Sequence, residues 1–101
     1  MVIKKIKKIT VGSITFDIKW NSKHGGGSFD YSTNLLEIGT AGGDDRTFEV
    51  IMHELSEMLH CNQHTRFQRT DIHDDFLFVT DHRQFDAHNS HLAGLIKQFI
   101  L

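Results

Sequence analysis

Alternating apolar and polar residues mark the clearest predicted strand of the chain. Between Ile14 and Trp20 every second residue is apolar, and each residue between them is polar. Since successive side chains of a strand point to opposite faces, this pattern predicts a half-buried strand. Gly12 and Ser13 have the composition of a tight turn, so Ile3–Val11 is predicted to pair with this strand as a hairpin. The isoleucines of that segment fit a period of two poorly, which indicates an irregular start.

Shorter strands are predicted on both sides of a helical region. Residues 21–28, with three consecutive glycines, have the composition of a flexible loop. Phe29–Tyr31 and Leu35–Gly39 follow as two short strands joined by a polar turn. Residues 63–75 are polar and predicted to be irregular, and Phe76–Val79 is predicted to be a short apolar strand.

An apolar periodicity of 3.6 residues predicts the first helix, from about Arg46 to Asn62. Asp44 or Asp45 is expected to cap this helix and to place negative charge at its positive end. Its apolar stripe consists of Phe48, Ile51, Met52, Leu55, Met58 and Leu59.

A second helix is predicted from about His82 to Ile100, with Thr80 or Asp81 as its cap. The order of elements predicts a single α+β domain over residues 1–101. In this fold a small antiparallel sheet of about three to five short strands precedes two helices that pack on one face. The apolar stripe of the second helix consists of Phe85, His88, Leu92, Leu95 or Ile96, and Phe99.

Composition narrows the class of protein without naming an activity. A chain of 101 residues is long enough for one modest core. A net charge of −2 offers no general attraction for nucleic acid, and no segment has the length of a membrane span. The single cysteine, Cys61, excludes an internal disulfide and, in a sequence without a secretory signal pattern, predicts a cytoplasmic protein. The four lysines among the first eight residues are expected to protect an exposed edge strand from aggregation.

Histidine is concentrated in the second half of the chain, where seven of the eight lie at or after residue 53. Because imidazole is a common metal ligand, this clustering indicates a metal site or a pH-sensitive surface. The sharpest motif is His-Glu-Leu-Ser-Glu-Met-Leu-His at residues 53–60. Positions i and i+4 of a helix lie on one face about 6 Å apart, so His53 and Glu57 can reach one metal ion together. Glu54, one step round the helix, is then placed to act as general base on a metal-bound water.

A zinc site needs a further protein ligand, because a catalytic zinc usually has three and keeps a fourth position for water. His82, at the start of the second helix, is the first choice, and Asp86, one turn later, is placed to orient its ring. Asp86, His88 and His73 are the alternatives for the third ligand. His88 is the weaker candidate because the apolar stripe directs it toward the core. Two imidazoles and one carboxylate suit zinc, and another divalent metal is possible.

Simpler interpretations of the same residues stay open. The i, i+4 spacing of His53 and Glu57 is also expected of a solvated helix face on which the two side chains hydrogen-bond. His60 and His64 form a rival i, i+4 pair, and His60 lies about 10 Å along the helix from His53, so one ion cannot bind both pairs. Glu54 favours the upstream pair because it supplies a base.

The order of sheet, strand Leu35–Gly39, helix with His-Glu-x-x-Glu and later ligand resembles the zincin-like metallopeptidases in a minimal form. It is similar to small metallopeptidase-like proteins of phages and bacteria. The resemblance covers roughly residues 29–90, and its one sharp motif is His53, Glu54 and Glu57. The resemblance implies that Glu54 polarises a metal-bound water and that Leu35–Gly39 is an edge strand that pairs with an extended peptide or protein substrate. An oxyanion helper is also implied. The candidates for that role are Tyr31, His60, Arg69 and His73.

The chain departs from the zincin motif at Glu57, which stands where the second histidine of His-Glu-x-x-His would be. A carboxylate ligand adds negative charge and so lowers the Lewis acidity of the metal. The leading hypothesis is a zinc-dependent peptidase or peptidase-like hydrolase. One alternative is a catalytically silent, metal-stabilised module that binds a peptide or protein. Another is an interaction protein whose histidines bind metal only adventitiously.

Overall fold

A computed structural model describes residues 2–69, 71 and 75–100 of the chain. It has the α+β fold that the predicted order of elements indicates. The first sheet consists of β1 (Lys8–Val11), β2 (Ile14–Asn21), β3 (Gly27–Asp30) and β4 (Leu35–Gly39). The remaining elements are α1 (Gly43–Asn62), β5 (Arg66–Gln68), β6 (Phe76–Phe78), α2 (His82–Ile96) and a 3₁₀ turn (Lys97–Phe99).

The four-stranded sheet is mixed, with the strand order β1-β2-β4-β3. The outer pairs are antiparallel, whereas β2 and β4 are parallel, with Ile18 opposite Leu36 and Trp20 opposite Ile38. The prediction that the sheet is antiparallel is therefore wrong at its central pair. Alternation of apolar and polar residues is the same in both directions along a strand, so the pattern carries no information about strand orientation.

β4 lies inside the sheet, between β2 and β3, and its Leu36 and Ile38 are fully buried. Backbone groups on both sides of this strand are used in pairing, so Leu35–Gly39 is not an edge. The prediction that a peptide binds along this strand is therefore wrong, because an added strand needs unpaired backbone groups. The edge strands of this sheet are β1 and β3. The exposed side chains of Lys7 and Lys8 at β1 agree with the expected protection of an edge.

The hydrophobic core lies between this sheet and α1. Ile51, Leu55 and Met58 of α1 are fully buried, as is Phe16 of β2. The 3₁₀ turn adds the buried ring of Phe99, which packs edge-on against Trp20 with ring centroids 6.0 Å apart. Four of the six residues of the stripe predicted for the first helix, Ile51, Leu55, Met58 and Leu59, therefore belong to the core, whereas Phe48 and Met52 are half-buried outside it.

α2 packs on α1 and contributes less to the core than predicted. Among the described residues of α2, His88 alone is buried. Phe85, which belongs to the predicted apolar stripe, is 52% exposed. The apolar periodicity therefore predicted correctly that His88 and Leu92 face the protein interior. It was wrong for Phe85, because the first turn of the helix extends beyond the core.

The two helices begin differently. α1 starts after Gly42 without a side-chain cap, so the prediction that Asp44 or Asp45 caps it is wrong, although both carboxylates lie in its first turn. α2 starts with the predicted cap: Asp81 accepts a hydrogen bond from the backbone of Gln84 at 2.8 Å, and the Gln84 side chain accepts one from the Asp81 backbone at 3.0 Å. This reciprocal pair is a capping box, which satisfies two backbone donors that the helix leaves unpaired.

A small second sheet lies within the segment that was predicted to be mostly irregular. β5 and β6 pair antiparallel, with Phe67 opposite Leu77. Phe76–Phe78 agrees with the predicted apolar strand, but β5 was not predicted, because its three residues are too few to establish a period. Four apolar residues of this region, Phe67, Leu77, Phe78 and Val79, are 46–58% exposed.

No helix among the described residues is long and apolar enough to cross a membrane.

Substitution of Gly27 tests how closely β3 approaches α1. A Cβ at this position would lie 2.8 Å from Val50 Cγ1, 2.9 Å from the Glu37 carbonyl oxygen and 3.0 Å from Glu54 Cγ. We expect Gly27→Ala to lower the free energy of unfolding by about 1–3 kcal/mol, as overpacking does in tight interiors. Urea denaturation measures this change. Gly26→Ala is the matched control, because nothing lies within 4 Å of its Cβ position; equal stability of the two variants would contradict the close approach.

Candidate metal centre

The predicted pair of metal ligands on α1 comes together. His53 Nε2 lies 3.5 Å from Glu57 Oε2, one helical turn apart. The His53 side chain is 71% exposed and that of Glu57 is 17% exposed, so the pair sits at the boundary of solvent and protein. Because α1 is regular through this region, the i, i+4 geometry expected from the sequence is confirmed.

Glu54 is buried, with 6% of its surface exposed. It borders a cavity of about 470 Å³ that it shares with His53. Burial raises the pKa of the Glu54 carboxyl, the nearby charge of Glu57 raises it further, and His53 and Arg66 act in the opposite direction. A buried carboxyl with a raised pKa beside a cavity has the properties expected of a general base. The other residues around the cavity are Gly26, Gly27, Arg46, Glu49 and Val50.

The helical spacing of apolar residues around Glu54 indicates that this residue is buried. Residues three and four positions away on a helix are its neighbours on the same face. Val50, Ile51 and Met58 occupy such positions, and all three are buried. Glu54 therefore lies within the apolar stripe of α1 rather than beside it, which the periodicity alone indicates.

Arg66, which was not predicted as a site residue, lies against Glu57. Its Nε atom is 3.2 Å from Glu57 Oε1, while the other oxygen of this carboxylate faces His53. The guanidinium group stacks on the Phe76 ring at 3.6 Å and donates a hydrogen bond to Cys61 Sγ at 3.1 Å. Nothing in the local sequence marks this arginine, because β5 and β6 bring it to α1 only through tertiary packing.

His82 stands apart from the pair on α1. Its ring is 90% exposed, and its Nδ1 atom lies 3.5 Å from Asp86 Oδ2, so Asp86 is beside His82 as predicted. Among the described residues no three histidine, cysteine, aspartate or glutamate side chains are grouped as a metal site. Of the three predicted ligands, His53 and Glu57 therefore lie side by side, and His82 is not grouped with them. His73, an alternative ligand and oxyanion helper, lies outside the described residues.

The two helices advance in the same direction where they touch. Ser56 of α1 hydrogen-bonds to His88 of α2, with 2.8 Å between Oγ and Nε2. Further along both helices, Leu59 and Asn62 of α1 border a cavity of about 400 Å³ together with α2 residues from Ser90 to Leu95.

His88 and His60 form a stacked pair between the two helices. Their ring centroids are 4.3 Å apart, and His60 Nδ1 lies 2.8 Å from the hydroxyl oxygen of Thr65. His88 is 5% exposed, which confirms that it points inward, and its Nδ1 atom has no hydrogen-bond partner in the described part of the chain. His88 is therefore a packing residue here and not a third ligand.

The rival pair of His60 and His64 does not share a helix face. α1 ends at Asn62, and His64 has a left-handed backbone with φ of 60°. His60 instead borders a cavity of about 170 Å³ with His53, Ser56, Glu57 and Phe78. Among the described candidates for the oxyanion helper, which are Tyr31, His60 and Arg69, His60 is thus the one that faces the His53–Glu57 pair.

Two other predicted helper residues have different roles. The Tyr31 hydroxyl donates to the Met58 carbonyl oxygen at 3.2 Å, and its ring packs against Phe16. Arg69 donates to Asp71 at 2.9 Å and lies 3.4 Å from Asp75 within its own loop. Neither side chain lines the two cavities that border His53.

Comparison with protein-family models finds no match, and searches of curated proteins and of solved structures find none either.

The pH dependence of the free energy of unfolding tests the packing of His60 against His88. Burial lowers the pKa of His88, and His60 and His91 lower it further, while burial also lowers the pKa of His60 against an opposing effect of Glu57. The unfolded chain then binds more protons than the folded one, so stability is complete above the ordinary pKa of 6.5 and falls as the pH drops below it. We expect a loss of at most about 1.4 kcal/mol per pH unit for each titrating ring.

Urea denaturation between pH 8 and pH 5, roughly the range in which histidine titrates, measures this slope. His88→Gln and His60→Gln should each make the free energy of unfolding depend less on pH. His24→Gln, in an exposed loop, is the control and should leave the slope unchanged. A wild-type slope that both substitutions leave intact would contradict this account of the pair.

Proposed function

We propose that this chain is a metal-dependent hydrolase, a zinc-dependent peptidase or peptidase-like enzyme, in which Glu54 is the general base. The observation that carries the proposal is the buried carboxyl of Glu54 at a cavity that it shares with His53, whose Nε2 atom lies 3.5 Å from Glu57 Oε2. Burial of a carboxylate is costly, so the position of Glu54 among buried apolar residues supports a functional role.

The donor set on α1 suits zinc. An imidazole nitrogen and a carboxylate oxygen 3.5 Å apart need only small side-chain rotations to share one ion. His53, Glu57 and His82 would hold the metal, which when bound supplies Lewis acidity to the substrate and to water. Arg66 Nε lies 3.2 Å from Glu57 Oε1, so an ion would share this carboxylate with the guanidinium group.

His82 is the third ligand of this proposal, as expected from its place at the start of the second helix. Its exposed ring would have to rotate away from Asp86 Oδ2 to join the pair.

Glu54 would accept a proton from water in the cavity at a carboxylate oxygen and pass it to the leaving group. The raised pKa of this carboxyl makes it a better proton acceptor than an exposed glutamate. Gly26 and Gly27 border the same cavity, and Gly27 begins the edge strand β3. An extended substrate would therefore approach along β3 rather than β4.

Replacement of Glu54 tests the base. We expect Glu54→Gln to retain zinc and to lower peptide hydrolysis by about 10²–10⁴-fold, because the amide cannot accept the proton. The amide also removes a buried charge, so the variant should unfold no more readily than the wild type. Zinc content of protein purified without a histidine tag and cleavage of an unstructured protein substrate are the two measurements.

Glu49→Gln is the matched control, since Glu49 borders the same cavity but is exposed and paired with Arg46 at 3.0 Å. It should retain both zinc and hydrolysis. Hydrolysis that survives Glu54→Gln would exclude this base. A wild type that holds zinc and cleaves nothing would favour the catalytically silent binding module instead.

Replacement of His82 tests the third ligand. We expect His82→Ala to weaken zinc binding by at least tenfold, since one of three protein ligands is lost. Competition with a chromophoric chelator measures the dissociation constant. His91→Ala is the control, because this histidine is exposed on the same helix and lines the other cavity. Equal zinc affinity of the His82→Ala variant and the wild type would assign the third position elsewhere.

A further inference from the structure

We infer that a cluster of lysines, located where residues 3–4 meet residues 99–100, is a binding surface for the anionic headgroups of a lipid membrane. All five side chains of this lysine surface are exposed: Lys4, Lys5, Lys7, Lys8 and Lys97. The surface includes none of the residues of the candidate metal centre, so the inference goes beyond the proposed function and does not depend on it.

The spacing of the isoleucines in this segment explains why its lysines are exposed. Ile3, Ile6 and Ile9 recur at every third residue, and all three pack on the hydrophobic core. Two lysines stand between each isoleucine and the next, so burial of the isoleucines leaves both pairs of lysines at the surface. The spacing of three also accounts for the poor fit of the segment to the period of two that a regular strand requires.

Hydrogen bonds hold the backbone of the segment in place. The backbone nitrogen of Lys4 donates to the carbonyl oxygen of Phe99 at 2.7 Å, which brings the 3₁₀ turn that begins at Lys97 beside it. The Trp20 indole donates to the carbonyl oxygen of Ile6 at 2.9 Å. A surface with a fixed backbone loses less conformational entropy on binding than a flexible tail does.

The positive charge of the lysine surface is largely unpaired. Of its five lysines only Lys8 has an ion pair within the described residues, with Asp17 at 3.5 Å, and both of these side chains are well exposed. All thirteen acidic residues of the chain lie between Asp17 and Asp86, whereas the lysine surface lies outside that range. Positive charge is therefore concentrated here in a chain whose net charge is −2, and it complements a negatively charged surface.

Protection of an edge strand accounts for only part of this cluster. β1 begins at Lys8, so Lys4 and Lys5 precede the strand whose edge they would protect. Lys97 belongs to a different segment, at the end of α2. These three lysines therefore support a role beyond the prevention of aggregation.

Exposed apolar side chains beside the lysines favour a lipid surface over nucleic acid. Val2 is 60% exposed and Ile100 is 39% exposed, and Ile3 pairs with Ile100 in a β-bridge. Peripheral membrane binding combines such apolar contacts at the headgroup boundary with electrostatic attraction to anionic lipids. Nucleic-acid binding favours arginine and exposed aromatic rings on which bases stack. The lysine surface contains no arginine, and the neighbouring ring of Phe99 is buried.

Sedimentation with lipid vesicles measures the expected binding. At an ionic strength of about 0.1 M the protein should bind vesicles that contain phosphatidylserine and should not bind vesicles of phosphatidylcholine alone. Binding should be lost at about 1 M salt, because the screening length falls from about 10 Å to about 3 Å. Absence of binding to the anionic vesicles, or equal binding to both kinds, would overturn the inference.

Replacement of two lysines locates the binding on this surface. Each lysine close to an anionic membrane strengthens binding about fivefold, so the double variant Lys4→Gln, Lys5→Gln should partition about 25-fold more weakly. Arg83→Glu is the matched control, because it changes the net charge by the same amount from the opposite end of α2, about 20 Å from Lys97. The control should bind almost as the wild type does. Equal weakening by both variants would mean that net charge alone decides binding, and would exclude a specific surface.

The variant Val2→Ser distinguishes a lipid surface from other polyanions. Loss of this exposed apolar side chain should weaken vesicle binding about threefold to tenfold, since its contact with the acyl boundary is lost. Vesicle binding that this substitution leaves unchanged would exclude the apolar contact. A mixed-sequence DNA duplex bound as tightly as the anionic vesicles would assign the lysine surface to nucleic acid and overturn the inference. All variants are compared well below their unfolding midpoints in urea.

Discussion

The packing of α1 on the mixed sheet is the contact on which the candidate site depends. Ile51, Leu55 and Met58 are fully buried against the sheet, and this burial sets the rotation of the helix about its own axis. With that rotation fixed, His53 is turned toward solvent and Glu54 toward β3. A rotation by one residue, about 100°, would exchange their environments.

The same contact buries the carboxyl group of Glu54, which lowers the stability of the fold. A carboxyl among Val50, Ile51 and Met58 costs stability at neutral pH, since burial disfavours its charged form. Gly27 leaves the room beside its Cγ atom, where any larger residue would displace it. Glu54 is thus buried where β3 approaches α1, burial raises the pKa of its carboxyl, and a cavity of about 470 Å³ lies beside it.

The second sheet places side chains beside the His53–Glu57 pair of α1. β5 and β6 bring Arg66 against Glu57 and place Phe78 at the cavity shared with His53. The second sheet has two strands of three residues and exposes several apolar side chains, and the guanidinium group of Arg66 connects it to Cys61 of α1. Through these contacts the orientation of a motif residue on the helix depends on residues that follow it in the chain.

Much of the local structure was predictable from the sequence, because it depends on interactions within one element. The strand Leu35–Gly39, the helix that ends at Asn62, the Asp81 cap and the His53–Glu57 pair all follow from periodicity, capping chemistry and i, i+4 spacing. The direction and order of the strands, and so the interior place of β4, required the tertiary structure. So did the contact of Arg66 with Glu57, because pairing between distant segments is decided by how the whole core packs and not by any local pattern.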